Sequence, residues 1–287
     1  SGYNPRLIYV KITGYGSKGP LKDKPGLDPQ VQAFSGFMDT TRGVAKELQL
    51  TQVAVLDQAT GNIACLATLA ALLGRERLGV GQEVEVSLLG ASLNLLSNNL
   101  ALSLLLGEEF PRHVRAQTTN PLRNYYMCAD GKWLLGSHTP FERFWPSFCQ
   151  ALGIEELLHD PRFAVPEARG KNSPALIHIL DRVFASRTSA EWIRQFQEYP
   201  DLAWLPVNRV SDLAEESQVV ENGYITEFEH PSLGKVKFPG FPVAFSRTPA
   251  HPKLPAPTLG QHTEEVLRQL GGYSREDIQQ FQRDGII

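Results

Sequence analysis

Asp57 carries a carboxylate at a position where it could either do covalent chemistry or cap a helix. It follows an apolar stretch, residues 53–56, and opens a run of helix-forming residues. An ionised carboxylate at a strand-to-helix junction can act as a nucleophile toward an activated acyl group, and it needs no base partner. Aspartate is also a preferred N-cap, and the local sequence alone favours that capping role. The two roles do not exclude each other.

A glycine-rich loop is the second feature that could contribute to a site. Gly14 and Gly16 could let the backbone approach a ligand closely, or they could simply form a turn between two elements. Lys18, with Lys22 and Lys24, could meet phosphate groups, although lysines in a polar loop are more often only solvated. We take Gly14, Gly16 and Lys18 as candidate cofactor-binding residues.

Metal and disulfide chemistry have little support in the sequence. The seven histidines form no metal-ligand spacing such as HExxH. Three cysteines, Cys65, Cys128 and Cys149, are too few and too scattered for a disulfide framework or a zinc cluster. We therefore expect no metal, three buried thiols that act as small apolar residues, and a reducing, cytoplasmic location.

Composition favours a folded protein without a polyanionic partner. Of the 287 residues, 42% are hydrophobic and 21% are charged, which is ordinary for a globular chain. The net charge is −3, so we expect no binding to nucleic acid or to an anionic membrane. The longest apolar stretch, residues 84–106, contains polar side chains throughout, and we predict no membrane span there.

The first part of the chain alternates strands with helices. The pattern predicts strands over 7–12 and 82–87, and a short helix over 28–37. Residues 57–77 are apolar almost all round, so we expect a deeply buried helix. A single long helix is predicted for residues 88–106. Such alternation indicates an α/β layer architecture.

Beyond residue 111 the pattern changes to a hairpin followed by amphipathic helices. The hairpin is predicted over 123–136, and helices over 140–152 and 173–185. Thr188 to Glu191 is typical of a helix start, and Ser274 with Asp277 forms a capping box. We predict three parts: an α/β portion over 1–107, a small α+β domain over 108–207, and a C-terminal return to the large domain over 208–287.

Taken together and in order, five stretches resemble class III CoA-transferases, the family of formyl-CoA transferase and the carnitine CoA-transferases. Each stretch alone is weak, but their order along nearly the whole chain makes the match specific. The motifs are NPRLIY, ITGYG and GP within 4–20, PGLD and QAFSG within 25–36, DQATG, LAALL, GVGQ and VSLL within 57–89, DPRF at 160–163 and LGQHT at 259–263.

The resemblance implies a Rossmann-like large domain, a smaller α+β domain and an interlocked homodimer. It also implies transfer of CoA from an acyl-CoA donor to a carboxylic acid, with Asp57 as the nucleophile that carries aspartyl intermediates. Gly26 and Asp28 occupy a stretch that lines the active site in this family, and we take both as binding candidates. A negatively charged tetrahedral intermediate is expected near backbone amides at the start of the Asp57 helix.

Two departures from the family leave other functions open. Family members carry an N-terminal segment that holds the adenosine and phosphates of CoA, whereas this sequence begins within that domain; we expect weak CoA binding by this chain alone. The α-methylacyl-CoA racemases share the fold and commonly have histidine where this chain has Leu27. Because leucine cannot move a proton, transferase is favoured over racemase. A noncatalytic truncated relative is the third possibility.

Overall fold

A computed structural model describes residues 4–41, 48–230, 233–250 and 256–287. The chain divides into two compact units, Ser1–Leu205 and Pro206–Ile287. The three-part division inferred from the sequence, with boundaries after residues 107 and 207, stays a prediction.

The first unit begins with two parallel strands that are joined through helices. Its elements up to residue 106 are β1 (Tyr9–Thr13), α1 (Asp28–Phe34), α2 (Phe37–Thr41), α3 (Val55–Leu78), β2 (Glu83–Ser87), α4 (Leu88–Leu95) and α5 (Ser97–Leu106). Tyr9 of β1 lies opposite Glu83 of β2, and Thr13 lies opposite Ser87. Parallel neighbours require a crossover connection, which here runs through α1, α2 and α3. The predicted α/β class is confirmed.

Helix α3 is less buried than its composition predicts. Leu66, Leu69 and Leu73 are 68%, 58% and 55% exposed. Its main neighbours are α1, α4 and the β1–β2 pair, and these cover only part of its circumference. The predicted deep burial is therefore wrong for this chain, because an all-round apolar helix is buried only where other elements surround it. By length and composition α3 could also cross a membrane, a test that the core helix of a soluble protein passes equally.

The predicted helix over residues 88–106 is two helices. Helices α4 and α5 meet at an angle of 74°. The break lies at Leu96, whose ψ of 11° departs from the α-helical value. Apolar residues continue through the bend, so the hydrophobic pattern does not mark it. Helix α4 packs against α3 and β2, and these contacts are not visible in the hydrophobic pattern of residues 88–106.

The largest core of the first unit lies between a three-stranded sheet and four helices. These elements are β3 (Arg123–Met127), β4 (Trp133–Ser137), α6 (Phe141–Leu152), α7 (Pro166–Lys171), α8 (Ser173–Phe184), α9 (Ser189–Gln197) and β5 (Trp204–Pro206). The predicted hairpin is confirmed, with Tyr125 opposite Leu135. The predicted helix start at Thr188 is confirmed by its capping box with Glu191. The ring of Trp204 stacks on Phe148 and fills the core beneath β4.

The second unit contains a β-hairpin and three helices among its described residues. They are α10 (Ser217–Glu221), β6 (Ile225–His230), β7 (Gly234–Pro239), α11 (Thr263–Gln269) and α12 (Arg275–Arg283). The predicted capping box is confirmed, since the Ser274 hydroxyl accepts the amide N–H of Asp277. The Asp277 carboxylate accepts the N–H of Ser274 in return.

His138 is a buried titratable group that joins two strands of the core. Its Nε2 accepts the amide N–H of Ala203 at 2.8 Å, just before β5. Its Nδ1 lies 3.4 Å from the carbonyl oxygen of Leu122. The ring contacts Phe144 and Trp204. Burial lowers the pKa of His138, and the Leu122 carbonyl offsets part of that effect.

We expect His138 to make the fold sensitive to acid. Its folded-state pKa lies below the unfolded value of about 6.5, so the unfolded chain binds the proton more readily. Its contribution to stability is therefore complete above the unfolded pKa and is lost as the pH falls toward the folded one. Between pH 7.5 and pH 5.5, the melting temperature of His138→Gln should fall less than that of the wild type. If the melting temperatures of the two proteins fall by the same amount over this pH range, His138 is not the source of the acid sensitivity.

Candidate active site

Asp57 lies in the first turn of α3, at the third residue of the helix. The N-cap position is Ala54, which provides no side-chain hydrogen bond. The interpretation of Asp57 as the N-cap is therefore wrong. Its side chain is exposed, and within the described residues its carboxylate oxygens accept no hydrogen bond from another group. The carboxylate is thus available for chemistry on a helix that other residues hold in place.

The cap of α3 comes from Asp28, at the start of α1. One oxygen of the Asp28 carboxylate, Oδ2, accepts the amide N–H of Leu56 at 2.7 Å and that of Asp57 at 2.9 Å. Asp28 is only 5% exposed. A negative group at this position complements the positive end of the helix dipole and satisfies two amides that lack helical partners. The contact fixes the backbone of the candidate nucleophile itself.

This cap corrects the expected source of oxyanion stabilisation. The amides of Leu56 and Asp57 are occupied by Asp28, and the amide of Gln58 donates to the Ala54 carbonyl. A tetrahedral intermediate at Asp57 would therefore find these three amides already in use. The physical reason is that buried N–H groups are satisfied in the resting fold, so a helix start is free for substrate only where no side chain caps it.

A second buried side chain holds the Asp28 carboxylate. Gln32, one turn further along α1, donates from Nε2 to the other Asp28 oxygen and to the Thr51 hydroxyl. Gln32 is fully buried. The network therefore joins α1, the segment before α3, and α3 itself. Asp28 was chosen from the sequence as a cofactor contact; its capping role was missed, because its partners lie 28 and 29 residues away and no local pattern marks them.

Gly14 and Gly26 lie against each other. A Cβ on either residue would come within 2.6 Å of the other's Cα. The Gly14 carbonyl also accepts the amide N–H of Leu89 at 3.0 Å. Backbone-to-backbone packing of the two loops therefore accounts for both glycines, and their predicted contact with a cofactor stays a prediction.

Gly16 and Lys18 line a cavity of about 300 Å³ beside β2. Gly16 has a φ of +92°, a conformation that favours glycine. Glu85 also lines this cavity, and its carboxylate accepts a hydrogen bond from the Ser17 hydroxyl. This bond, together with the charges of Lys11 and Lys18, lowers the pKa of Glu85. The carboxylate offsets part of the positive charge that Lys18 would offer to a phosphate.

We expect Gly26→Ala to destabilise the loop that leads into Asp28. The added Cβ would meet backbone atoms of Gly14, which cannot rotate away, and overpacking of this kind costs about 1–3 kcal/mol. Urea unfolding would measure the loss. Gly170→Ala is the matched control, because a Cβ there meets nothing within 4 Å and alanine favours the helical backbone. Equal stability of Gly26→Ala and the wild type would contradict the close packing.

Two of the three cysteines are poor alternatives to Asp57 as nucleophile. Burial raises the pKa of Cys128 to about 11 and that of Cys149 to about 12, so both thiols stay protonated near neutral pH. Cys65 is exposed on α3, which corrects the expectation that all three are buried. Within the described part of the chain, no group of three or more His, Cys, Asp or Glu side chains could hold a metal ion.

Named relatives align with almost the full length of this chain. The mouse (Mus musculus) protein named succinyl-CoA:glutarate CoA-transferase is 31% identical over 283 residues, which are 99% of this chain and 64% of that protein. The (R)-2-hydroxy-4-methylpentanoate CoA-transferase of Clostridioides difficile is 28% identical, covering 99% of this chain and 70% of the relative. The chain thus spans less than two thirds of the mouse protein's length.

Solved structures and a family model agree with these relatives. A CAIB/BAIF family protein from Brucella suis matches with a TM-score of 0.76 at 26% identity, over 93% of this chain and 68% of that one. A crystal structure from Mycobacterium tuberculosis has the same TM-score at 27% identity, over 92% and 69% of the two chains. The model described as CoA-transferase family III matches residues 1–263. The chain belongs to CoA-transferase family III.

Proposed function

We propose that this chain transfers CoA from an acyl-CoA donor to a carboxylic acid, with Asp57 as the covalent nucleophile. The observation that carries the proposal is the state of Asp57 in the fold. Its carboxylate is exposed and uncommitted within the described residues, while its own amide is fixed by Asp28. A free carboxylate on a fixed backbone is what nucleophilic attack on a thioester requires.

The proposed reaction has four steps, and each exchanges one acyl bond for another. The Asp57 carboxylate attacks the donor thioester carbon, which forms a mixed anhydride and releases CoA thiolate. The thiolate attacks the aspartyl carbonyl, giving an aspartyl-CoA thioester and the free donor acid. The acceptor carboxylate then attacks the aspartyl carbonyl, so that a second anhydride forms and CoA thiolate leaves. Finally the thiolate attacks the acceptor carbonyl, which releases the new acyl-CoA and restores Asp57.

Covalent catalysis suits this exchange on energetic grounds. One thioester replaces another, so the overall free-energy change is small, and the enzyme must prevent loss of the activated acyl group to water. Holding that group on Asp57 conserves the thioester energy between the two half-reactions. Asp28 acts as a positioning residue, because its buried carboxylate keeps the first turn of α3 in place.

The substrates and the assembly are also proposed from the family. The names of the relatives include glutarate and a 2-hydroxy-4-methylpentanoate as the acids concerned, and we infer a small carboxylic acid as acceptor here. Coenzyme A is a substrate in this reaction, and we propose that it contacts Gly16 and Lys18, which line the cavity beside β2. A homodimer in the cytoplasm is the expected working form.

The racemase alternative has less support at Leu27, where racemases of this fold commonly carry a proton-transferring histidine. Leu27 stands directly before Asp28, is 67% exposed, and occupies the N-cap position of α1. A hydrocarbon side chain cannot remove or return the α-proton of a substrate. The description of the matching family and the name of the mouse relative also favour CoA transfer over racemisation.

An acyl-CoA exchange assay in D₂O tests the proposal. The purified chain is incubated with succinyl-CoA and a panel of small acids, including glutarate, and the acyl-CoA products are resolved by mass spectrometry. A new acyl-CoA without deuterium at its α-carbon is expected. A parallel incubation contains a 2-methylacyl-CoA alone. If deuterium enters that substrate and no transfer occurs in the first incubation, the result would favour the racemase. If neither transfer nor deuterium exchange occurs, the result would favour a noncatalytic relative.

A further inference from the structure

A second cavity in the first unit has no part in the chemistry described above. It measures about 730 Å³ and lies between the loop before β3 and the outer face of the β3–β4 hairpin. This volume lies in the range of small-molecule sites, about 300–1,000 Å³. None of its lining residues belongs to the first turn of α3, to α1 or to the glycine-rich loop.

The charged side chains that line the cavity are positive. They are Arg112 and Arg123, and the described residues of the lining include no aspartate or glutamate. Arg112 forms a salt bridge with Asp39, at 3.3 Å between its guanidinium and the carboxylate, and Asp39 does not line the cavity. Arg123 is exposed and forms no side-chain hydrogen bond or ion pair within the described residues. Arg123 is therefore the cation with unused hydrogen-bonding capacity.

An aromatic and apolar wall stands beside these cations. Tyr125 lies two residues after Arg123 on the same face of β3, with Leu135 opposite it on β4. The Tyr125 ring is held by Trp133, at 5.4 Å between ring centroids, and by the Arg115 guanidinium at 5.5 Å. The charge of Arg115 is already paired with Asp181. The wall is thus a fixed surface rather than a second source of free charge.

We propose that this cavity binds a small organic oxyanion. Its phosphate or carboxylate group pairs with the Arg123 guanidinium, which presents donors in a geometry that fits either group. Its ring or hydrocarbon body lies against Tyr125 and Leu135. The proposal does not rest on acyl transfer, because no lining residue is shared with the Asp57 region.

Direct binding measurements test the site and separate phosphate from carboxylate ligands. The probes are adenosine 3′,5′-bisphosphate and glutarate, each titrated by calorimetry into the full chain at low and at moderate salt. At least one probe is expected to bind, and Arg123→Gln should weaken its binding roughly tenfold to a hundredfold. Arg123→Lys keeps the charge but loses the bidentate geometry, so its affinity for the probe should lie between those of the wild type and Arg123→Gln.

The matched control is Lys132→Gln, which removes the same charge from the turn of the same hairpin. Lys132 does not line the cavity, so its loss should leave the affinity within about twofold of the wild type. Thermal melting confirms that each variant is folded. The proposal is overturned if neither probe binds, if Arg123→Gln binds as tightly as the wild type, or if both glutamine variants weaken binding equally.

Discussion

Asp57→Asn is expected to abolish CoA transfer, with a loss of roughly 10⁴-fold or more, as when other covalent nucleophiles are removed. The amide has nearly the shape of the carboxylate but lacks the anionic oxygen that attacks the thioester. Because the Asp57 side chain accepts no hydrogen bond within the described residues, the fold should tolerate this change. The loss is therefore expected in turnover and not in stability.

Intact-protein mass spectrometry makes this prediction specific to the covalent mechanism. The wild type, mixed with succinyl-CoA, should gain the mass of CoA less water, or of the succinyl group, and hydroxylamine should remove it. Asp57→Asn should gain neither mass. Glu76→Gln is the control, since it removes one carboxylate from the exposed surface of the same helix. An adduct that persists in Asp57→Asn would place the nucleophile elsewhere.

Asp28→Ala should cost both stability and activity, because two buried amides at the start of α3 would lose their acceptor. Hydrogen bonds to a charged group contribute about 1.5–3 kcal/mol, and an unsatisfied buried donor carries a similar penalty. We therefore expect a loss of about 2–4 kcal/mol in the free energy of unfolding. Misplacement of the nucleophile should also lower kcat roughly tenfold to a hundredfold, with less effect on KM.

Asp28→Asn separates positioning from mere folding. Its side-chain oxygen can still accept the amides of Leu56 and Asp57, while its charge is gone. Unfolding in urea and steady-state kinetics on all three proteins should therefore rank the asparagine variant between alanine and the wild type. An alanine variant with full kcat would show that the cap does not position Asp57. An asparagine variant as poor as alanine would show that one acceptor oxygen is not enough, and that the negative charge or the second oxygen that holds Gln32 is also required.

Local sequence patterns determined most of the elements, but they did not by themselves mark the candidate nucleophile. The hairpin turn near Gly131, the helix start at Thr188 and the capping box at Ser274 are all present in the fold. Each depends on residues within a few positions of one another, where backbone preferences and short hydrogen bonds decide the outcome. The family motifs lead to Asp57, since their order is a property of the sequence itself.

Only the tertiary structure decided how Asp57 is held and what surrounds its helix. The Asp28 cap joins residues far apart in the chain, so it forms only when α1 and α3 pack together. The bend at Leu96 and the exposed leucines of α3 have the same origin, because an apolar pattern shows which residues can be buried but not which partners bury them. The sequence thus identified the candidate nucleophile, and long-range packing determined how its backbone is held.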